Sequence, residues 1–427
     1  MHKAIIPLLY VLIFSVSNLF AGNGSKPHYN DKDINHIVSQ LTLEQKARLL
    51  VGCPGSDKGV SHIVAGSAGY TFPIDSLDIP SINLADGPVG VRITPVLPNK
   101  PYTSYCTCFP STTALAATWN KDIARLEGNA IGDEALAYGV DIVLTPGINI
   151  MRNPLCGRNF EYFSEDPYLS GIMGAAMING IQDKGIGASL KHFIANNQQT
   201  GKLYNDARIS QRAIREIYLK GFEICIKNSD PWTVMGSYNK IGGQYTQANP
   251  ELLRTILRNE WNYNGLIVTD WYKKRDTADQ LNGGTDLMMP GEQSQVDEII
   301  AGVKNGRISE TTLNKSVKYV LKLISKSISN KGWEYNEAPD LAANAALARR
   351  IATEGMVLLK NDRSFLPISQ GAKIALFGAT AYKSIAGGTG SSNVNKAHIT
   401  DISTGKGRLY TKQQIERTLY KIRGISE

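Results

Sequence analysis

A short apolar run ends on a carboxylate in the stretch Gly265-Leu266-Ile267-Val268-Thr269-Asp270-Trp271. Similar β-rich runs recur upstream, and they alternate with amphipathic stretches at 212–226 and 250–260 whose apolar residues have helical spacing. Repeated strand and helix units of this kind form a parallel sheet. The predicted strands are Ser81–Ala85, Asp141–Thr145, Ala188–Lys191, Thr233–Ser237 and Leu266–Thr269.

The alternation extends over residues 31–330, a length that fits a (β/α)8 TIM-like barrel better than a doubly wound sheet. A second α/β unit is predicted after a linker at 331–345, from an Ala-rich helix at 341–356 and a strand at 373–378. Residues 346–427 have too few strands for a sheet covered on both faces. We therefore expect an α/β fold in which the barrel is followed by an incomplete α/β sandwich domain.

The composition is that of an ordinary globular protein. The 427 residues are 42% hydrophobic and 20% charged, which excludes a polytopic membrane protein and a disordered chain. The formal net charge is +8, but Gly405–Glu427 alone contains six basic and two acidic residues. Because half of the excess lies in this terminal segment, we expect no nucleic-acid partner.

The first 21 residues have the pattern of a signal peptide. Lys3 precedes an apolar run from Ile5 to Phe14, and the small residues Ala21 and Gly22 follow. This run is shorter than the roughly 20 residues that span a bilayer. We therefore expect export to the periplasm or the extracellular space, with no membrane association after cleavage. The five cysteines follow no disulfide-scaffold spacing, and free thiols are expected.

Charged residues follow several of the predicted strands at once. Asp86, Lys191, His192 and Asp270 all occupy such positions. The carboxyl ends of barrel strands meet at one mouth, where converging charges imply a polar ligand or mutual pairing. For Asp270, the pattern alone leaves a helix N-cap and a catalytic carboxylate equally open.

Five motifs occur in an order and spacing that resemble glycoside hydrolase family 3, in its two-domain β-glucosidase-like branch. The resemblance covers roughly residues 40 to 395 and implies retention of anomeric configuration by double displacement. The motifs are Ala85-Asp86-Gly87-Pro88-Val89-Gly90-Val91-Arg92, Gly157-Arg158-Asn159-Phe160-Glu161 with Ser164-Glu165-Asp166-Pro167, Lys191-His192-Phe193, Asn196-Asn197-Gln198 and Val268-Thr269-Asp270-Trp271.

The resemblance implies that Asp270 is the nucleophile and that the other matched positions surround the sugar in the first subsite. An internal salt bridge is the alternative for Arg92 and Arg158, the latter with Glu161, and ordinary core packing is the alternative for Met235. The implied sugar-binding residues are Asp86, Arg92, Arg158, Lys191, His192, Lys202, Met235, Tyr238 and Trp271.

Two positions depart from the family pattern. Gln199 stands where an acid is common, and Lys202 stands where an arginine is common, which keeps the charge but loses the planar bidentate fork. The family's branch for N-acetylglucosamine is not indicated, because no Asp-x-His follows Phe193-Ile194-Ala195. In the two-domain branch the general acid/base is a glutamate of the second domain, and we expect it to be absent from this chain. A truncated or frame-shifted form is therefore the favoured expectation, and a natural short form stays an open alternative.

The function expected from the resemblance is that of a retaining exo-β-glycosidase, with a β-glucosidase as the favoured specificity. The substrate would be an oligosaccharide or β-glycoside, and no cofactor or metal is expected. A nucleotide site is not favoured, since Asn393 occupies the third glycine position of a GxGxxG pattern. β-Xylosidase specificity, and a weakly active or inactive carbohydrate-binding fragment, stay open alternatives. The sequence does not indicate the oligomeric state.

Overall fold

The structure is a computed structural model that describes residues 29–55, 64–94, 103–271 and 275–403. The predicted signal peptide at 1–21 and the tail after residue 405 lie outside the described residues. The strands are β1 (Cys53–Pro54), β2 (Gly69–Tyr70), β3 (Asn83–Asp86), β4 (Ile142–Leu144), β5 (Gly187–Phe193), β6 (Asp206–Ala207), β7 (Thr233–Gly236), β8 (Lys240–Ile241), β9 (Gln244–Tyr245) and β10 (Leu266–Val268). The α-helices are α1 (Ile34–Gln40), α2 (Leu43–Leu49), α3 (Thr112–Ala117), α4 (Lys121–Tyr138), α5 (Pro167–Asp183), α6 (Gln211–Ala213), α7 (Lys220–Ser229), α8 (Thr277–Gly283), α9 (Gln293–Lys304), α10 (Glu310–Lys326) and α11 (Leu341–Glu354).

The main sheet closes into a ring. Its seven strands have the order β1-β2-β3-β4-β5-β7-β10, and the neighbours from β3 to β10 are parallel. Leu287 bridges in parallel to Val268 beside β10, and Met288 bridges in parallel to Val51 beside β1. Residues 287–288 thus form the eighth member of the ring. This arrangement confirms the predicted α/β barrel, with one departure: β2 runs antiparallel to both of its neighbours.

Each of the five predicted strands lies on an observed one, with ends that coincide or differ by one or two residues. The strand β5, predicted as Ala188–Lys191, extends to Phe193, and all seven of its residues are buried. The predicted helix at 250–260 is a π-helical segment at Glu251–Glu260, and the predicted helix at 212–226 corresponds to α6, a π-helical segment at Ile214–Tyr218, and α7.

Alternate residues of β3, β4, β7 and β10 pack into different apolar clusters, as the two-residue period of a strand requires. In β4, Val143 belongs to a cluster shared with α4, α5 and α7, whereas Ile142 and Leu144 belong to a cluster shared with α1, α2, α9 and α10. The interior of the ring is therefore a packed core, and the loops at the strand ends are left to form a site. Within the described residues, no helix combines the length and the apolar character needed to cross a membrane.

The chain after the barrel is organised less regularly than predicted. The Ala-rich helix is present as α11, and its Ile351 is completely buried. Among the described residues from Met356 to Ser403 there is no strand, so the predicted strand at 373–378 is wrong. A strand needs neighbouring strands for its backbone hydrogen bonds, and the barrel offers none here. The domain boundaries at 31–330, 331–345 and 346–427 stay a prediction.

Candidate active site

The sequence-predicted polar residues lie at the carboxyl ends of neighbouring parallel strands. Asp86 is the last residue of β3, and Lys191 and His192 are near the end of β5. Tyr238 lies two residues beyond β7, and Asp270 lies two residues beyond β10. Because parallel strands end at the same edge of the barrel, these side chains share one mouth.

Asp270 is buried, with 8% of its surface exposed. Its Oδ1 atom accepts a hydrogen bond of 2.7 Å from the backbone N–H of Trp271. Its Oδ2 atom has no hydrogen-bond partner among the described residues, and it lies 3.7 Å from Nε2 of His192. One carboxylate oxygen is thus fixed by the backbone and the other faces the site.

The surroundings of Asp270 shift the pKa of its carboxyl group in opposite directions. Burial raises the pKa of its carboxyl group, whereas the Arg158 guanidinium, the Trp271 N–H, the Tyr238 hydroxyl and the Lys191 ammonium lower it. The net direction is upward. Asp270 therefore has a fixed position, as a nucleophile requires, and it ionises at a higher pH than an exposed aspartate.

Arg158 and Glu161 form a buried ion pair, with Nε of Arg158 donating to Oε1 of Glu161. Burial opposes the charged form of Arg158, but the Glu161 carboxylate prevails and the pKa of Arg158 is raised. Lys191 is fully buried nearby, and burial lowers its pKa while Glu161 opposes that shift. The site thus holds several charges away from water, which costs free energy unless they pair with one another or with a ligand.

Neighbouring side chains contact both the backbone and the ring of His192. Asn149 accepts a 2.9 Å hydrogen bond from its backbone N–H and donates a 2.9 Å hydrogen bond to its carbonyl. Nδ1 lies 3.2 Å from the hydroxyl of Tyr162 and 3.3 Å from Oδ1 of Asn149. Burial, and then the charges of Arg158, Lys191 and Lys202, keep the pKa of His192 well below its ordinary value. The imidazole is therefore neutral.

Two further cations border the same mouth. Arg92 Nη1 lies 3.3 Å from Oδ2 of Asp86, and Lys202 Nζ lies 4.5 Å from the centre of the Tyr238 ring. Burial and the nearby Arg158 lower the pKa of Lys202. A cation over the face of an aromatic ring is attracted by the ring quadrupole, so the Tyr238 ring stabilises the position of Lys202.

The part of the chain that contains these site residues also matches a known protein family. Residues 101–323 match the glycosyl hydrolase family 3 N terminal domain, which is more than half of the chain. The chain belongs to glycosyl hydrolase family 3. Its match region contains Arg158, Lys191, His192 and Asp270.

Several relatives in this family align with most of the chain. The thermostable beta-glucosidase B of Acetivibrio thermocellus is 42% identical over 378 residues, which cover 87% of this chain and 48% of the relative. The exo-alpha-(1->6)-L-arabinopyranosidase of Bifidobacterium longum is 37% identical over 380 residues, covering 85% and 48%. The structure of beta-glucosidase 3B from Thermotoga neapolitana in complex with glucose has a TM-score of 0.86 and 42% identity, covering 92% of this chain and 57% of that chain. The chain thus spans about half the length of the curated relatives it matches.

Most of the predicted site residues fall into three overlapping groups, and the ring of Tyr238 contacts Lys202 of the first group. Asp270, Lys191, His192, Arg158 and Lys202 act on one another electrostatically, and the charge of Asp86 acts on Lys191. Met235 and Trp271 share one buried apolar cluster beside them. Arg92 and Arg158 form the internal ion pairs that the sequence left open as an alternative. Contact of any of these residues with a sugar stays a prediction.

Sequence reasoning missed the side chains that support His192. Asn149 follows β4, so the rule that located Asp270 would also have indicated it, had uncharged polar residues been included. Tyr162 gave no signal, because a buried tyrosine beside a charged motif is typical of ordinary core. The sequence indicated Glu161 as part of a motif and as a partner of Arg158, and the structure confirms that pairing.

The glycine-rich segment after α11 packs on the barrel close to this site. Gly388 is so close to the ring of Phe160 that an added Cβ would lie 2.5 Å from Cζ. The backbone N–H of Cys106 donates to the carbonyl of Asn395 at 2.8 Å, and Val394 is buried. All five cysteines are free, as expected. Within the described ranges, no three His, Cys, Asp or Glu side chains gather in a way that would hold a metal ion.

Proposed function

We propose that this chain carries the sugar-binding pocket and the nucleophile of a retaining exo-β-glycosidase with β-glucosidase specificity. The observation that carries the proposal is the buried Asp270 carboxylate at a barrel strand end, fixed by Trp271 and facing inward among Lys191, His192 and Arg158. The names of the relatives support glucose as the sugar. The name of the arabinopyranosidase relative makes L-arabinopyranose a second candidate sugar.

The proposed first step uses the carboxylate as its nucleophile. An Asp270 oxygen forms a bond to the anomeric carbon while the bond from that carbon to the leaving oxygen breaks, and the leaving group takes the electron pair. Water then hydrolyses the glycosyl ester, so the configuration is inverted twice and retained overall. Lys191 and Arg158 donate hydrogen bonds to sugar hydroxyls in this proposal, and Asp86 accepts them.

Covalent trapping tests the proposal without depending on a proton donor. The probe is 2,4-dinitrophenyl 2-deoxy-2-fluoro-β-D-glucoside, whose leaving group departs without protonation and whose fluorine slows hydrolysis of the ester. We expect the intact mass to increase by one fluorodeoxyglucosyl group, and peptide mapping to place that group on Asp270. Matched β-xyloside and α-L-arabinopyranoside probes measure the sugar preference. Sugar binding without an adduct would identify a carbohydrate-binding protein instead, and an adduct on another residue would remove Asp270 from its role.

The pH dependence of trapping should respond to Tyr238. The Tyr238 hydroxyl lowers the pKa of Asp270, so its removal in Tyr238→Phe raises that pKa further. Because only the ionised carboxylate is nucleophilic, the acidic limb of the trapping rate against pH should move to higher pH. Tyr245→Phe is the matched control, since the Tyr245 hydroxyl donates to the carbonyl of Leu203 at 3.4 Å. A limb that moves to lower pH in Tyr238→Phe, or moves equally in both variants, would contradict the prediction.

A further inference from the structure

The neutral imidazole of His192 has two possible positions for its single ring proton. A proton on Nδ1 would point towards Asn149 and Tyr162, and a proton on Nε2 would point towards Asp270. The nitrogen without the proton presents a lone pair. The surroundings of the two nitrogens therefore decide what His192 offers to the nucleophile.

On the Nδ1 side, the nearest amide oxygen already accepts one hydrogen bond, and a hydroxyl donor is available. Oδ1 of Asn149 accepts the backbone N–H of His192 at 2.9 Å, and its distance to Nδ1 is longer, 3.3 Å. The Tyr162 hydroxyl accepts a hydrogen bond of 3.2 Å from Nδ2 of Asn196. Its own proton has two acceptors within reach, Nδ1 of His192 at 3.2 Å and the carbonyl of Asn196 at 3.4 Å. The shorter contact favours donation to Nδ1.

On the Nε2 side, the neighbour is a carboxylate oxygen that accepts no short hydrogen bond from the described residues. Oδ2 of Asp270 is 3.7 Å away and has no hydrogen-bond partner in the described part of the chain. An Nε2 lone pair facing this anion would be repulsive, whereas an N–H facing it is attractive, and the difference is larger for these buried groups than it would be in water. Both sides of the ring thus select the same tautomer.

We propose that Tyr162 is a positioning residue, which donates its hydroxyl proton to Nδ1 of His192 and thereby holds the imidazole proton on Nε2. That N–H is aimed at Oδ2 of Asp270, and it serves the nucleophile by orienting this oxygen while the other oxygen is held by Trp271. The inference rests on the proposed function only for its effect on sugar chemistry. The tautomer itself is a property of the free protein.

Nitrogen NMR of the 427-residue chain with ¹⁵N-labelled histidine rings measures the tautomer directly. The chain has six histidines, and the signal missing from His192→Gln assigns His192. We expect wild-type His192 to be neutral with its proton on Nε2. In Tyr162→Phe, the Nε2-protonated form should lose at least about half of its population, because one donor to Nδ1 is gone. A wild-type spectrum with the proton on Nδ1 overturns the proposal whether or not the variant folds.

Tyr263→Phe is the matched control. Tyr263 is as deeply buried in the barrel as Tyr162, and its hydroxyl donates to the carbonyl of Leu266 at 3.1 Å. Its removal should leave the His192 tautomer unchanged. In the trapping assay, Tyr162→Phe should slow adduct formation about tenfold while Tyr263→Phe does not. An unchanged tautomer in Tyr162→Phe, or equal slowing by both variants, overturns the proposal. Absence of any adduct beside an Nε2-protonated His192 contradicts the proposed function and leaves the Tyr162 assignment standing.

Discussion

Replacing Asp270 with asparagine is expected to slow formation of the covalent glycosyl adduct by at least roughly 10³-fold. The amide oxygen is a much weaker nucleophile than a carboxylate, and no other carboxylate takes its place at the end of β10. The fold should be retained, because the amide oxygen still accepts the Trp271 N–H that Oδ1 accepts in the wild type. Since burial disfavours the ionised Asp270, Asp270→Asn should unfold at the same denaturant concentration as the wild type or a higher one.

Azide rescue of Asp270→Ala sharpens this prediction. Azide in the vacated space attacks the anomeric carbon of 2,4-dinitrophenyl β-D-glucoside from the face that Asp270 uses, and dinitrophenolate leaves. A single displacement inverts the configuration, so the expected product is α-glucosyl azide. Asp279→Asn is the matched control, because the Asp279 carboxylate on α8 is exposed and pairs with Arg307 at 3.1 Å. The nucleophile assignment is wrong if Asp270→Asn keeps more than about a tenth of the wild-type rate, or if the azide product is the β-anomer.

Much of this site was predictable from residue order alone, because a parallel barrel turns a pattern in the sequence into a place in space. Every apolar run that ends on a charged residue delivers that residue to the same mouth, which is how Asp86, Lys191 and Asp270 were found together. The rule has no access to partners that come from loops. Tyr162, whose hydroxyl contacts His192, follows a single helical turn at residues 159–161.

The ring closure and the region after α11 show a second reason why sequence prediction stopped short. Leu287 and Met288 close the barrel by bridges at single residues, and an apolar stretch this short is equally consistent with a helix or a loop. The predicted strand at 373–378 has a convincing local pattern, but Ile374 and Phe377 are exposed in the structure. Strand propensity depends on packing against neighbours, so a local pattern cannot establish a strand where no neighbour is present.

The stability of the barrel should depend on pH through Glu127, a residue of α4 outside the candidate site. Its side chain is completely buried, and neither carboxylate oxygen has a hydrogen-bond partner in the described ranges. Burial raises its pKa from 4.5 to about 8. The folded state therefore holds one more proton than the unfolded state between these two values, so this group makes the free energy of unfolding fall as pH rises from 4.5 to about 8.

Glu127→Gln should remove that fall. Glutamine has the shape of the protonated glutamate and stays neutral. Wild type and variant should therefore have similar free energies of unfolding near pH 4.5. The difference between a pKa of 4.5 in the unfolded state and about 8 in the folded state corresponds to roughly 5 kcal/mol. Above about pH 8, the free energy of unfolding of the variant should exceed that of the wild type by this amount. Urea unfolding of both proteins at about pH 5 and about pH 8.5 measures it, and other titrating groups cancel in the difference.

An exposed carboxylate on the same helix provides the control for Glu127. Asp133 is 54% exposed at its side chain and pairs with Lys184 at 2.9 Å, so Asp133→Asn should change the free energy of unfolding by less than about 1 kcal/mol at either pH. Suppose instead that Glu127→Gln is the less stable protein at about pH 8.5. The carboxylate would then be ionised and bound to a cation in the folded chain, because only a stabilised anion makes its neutral isostere the weaker choice.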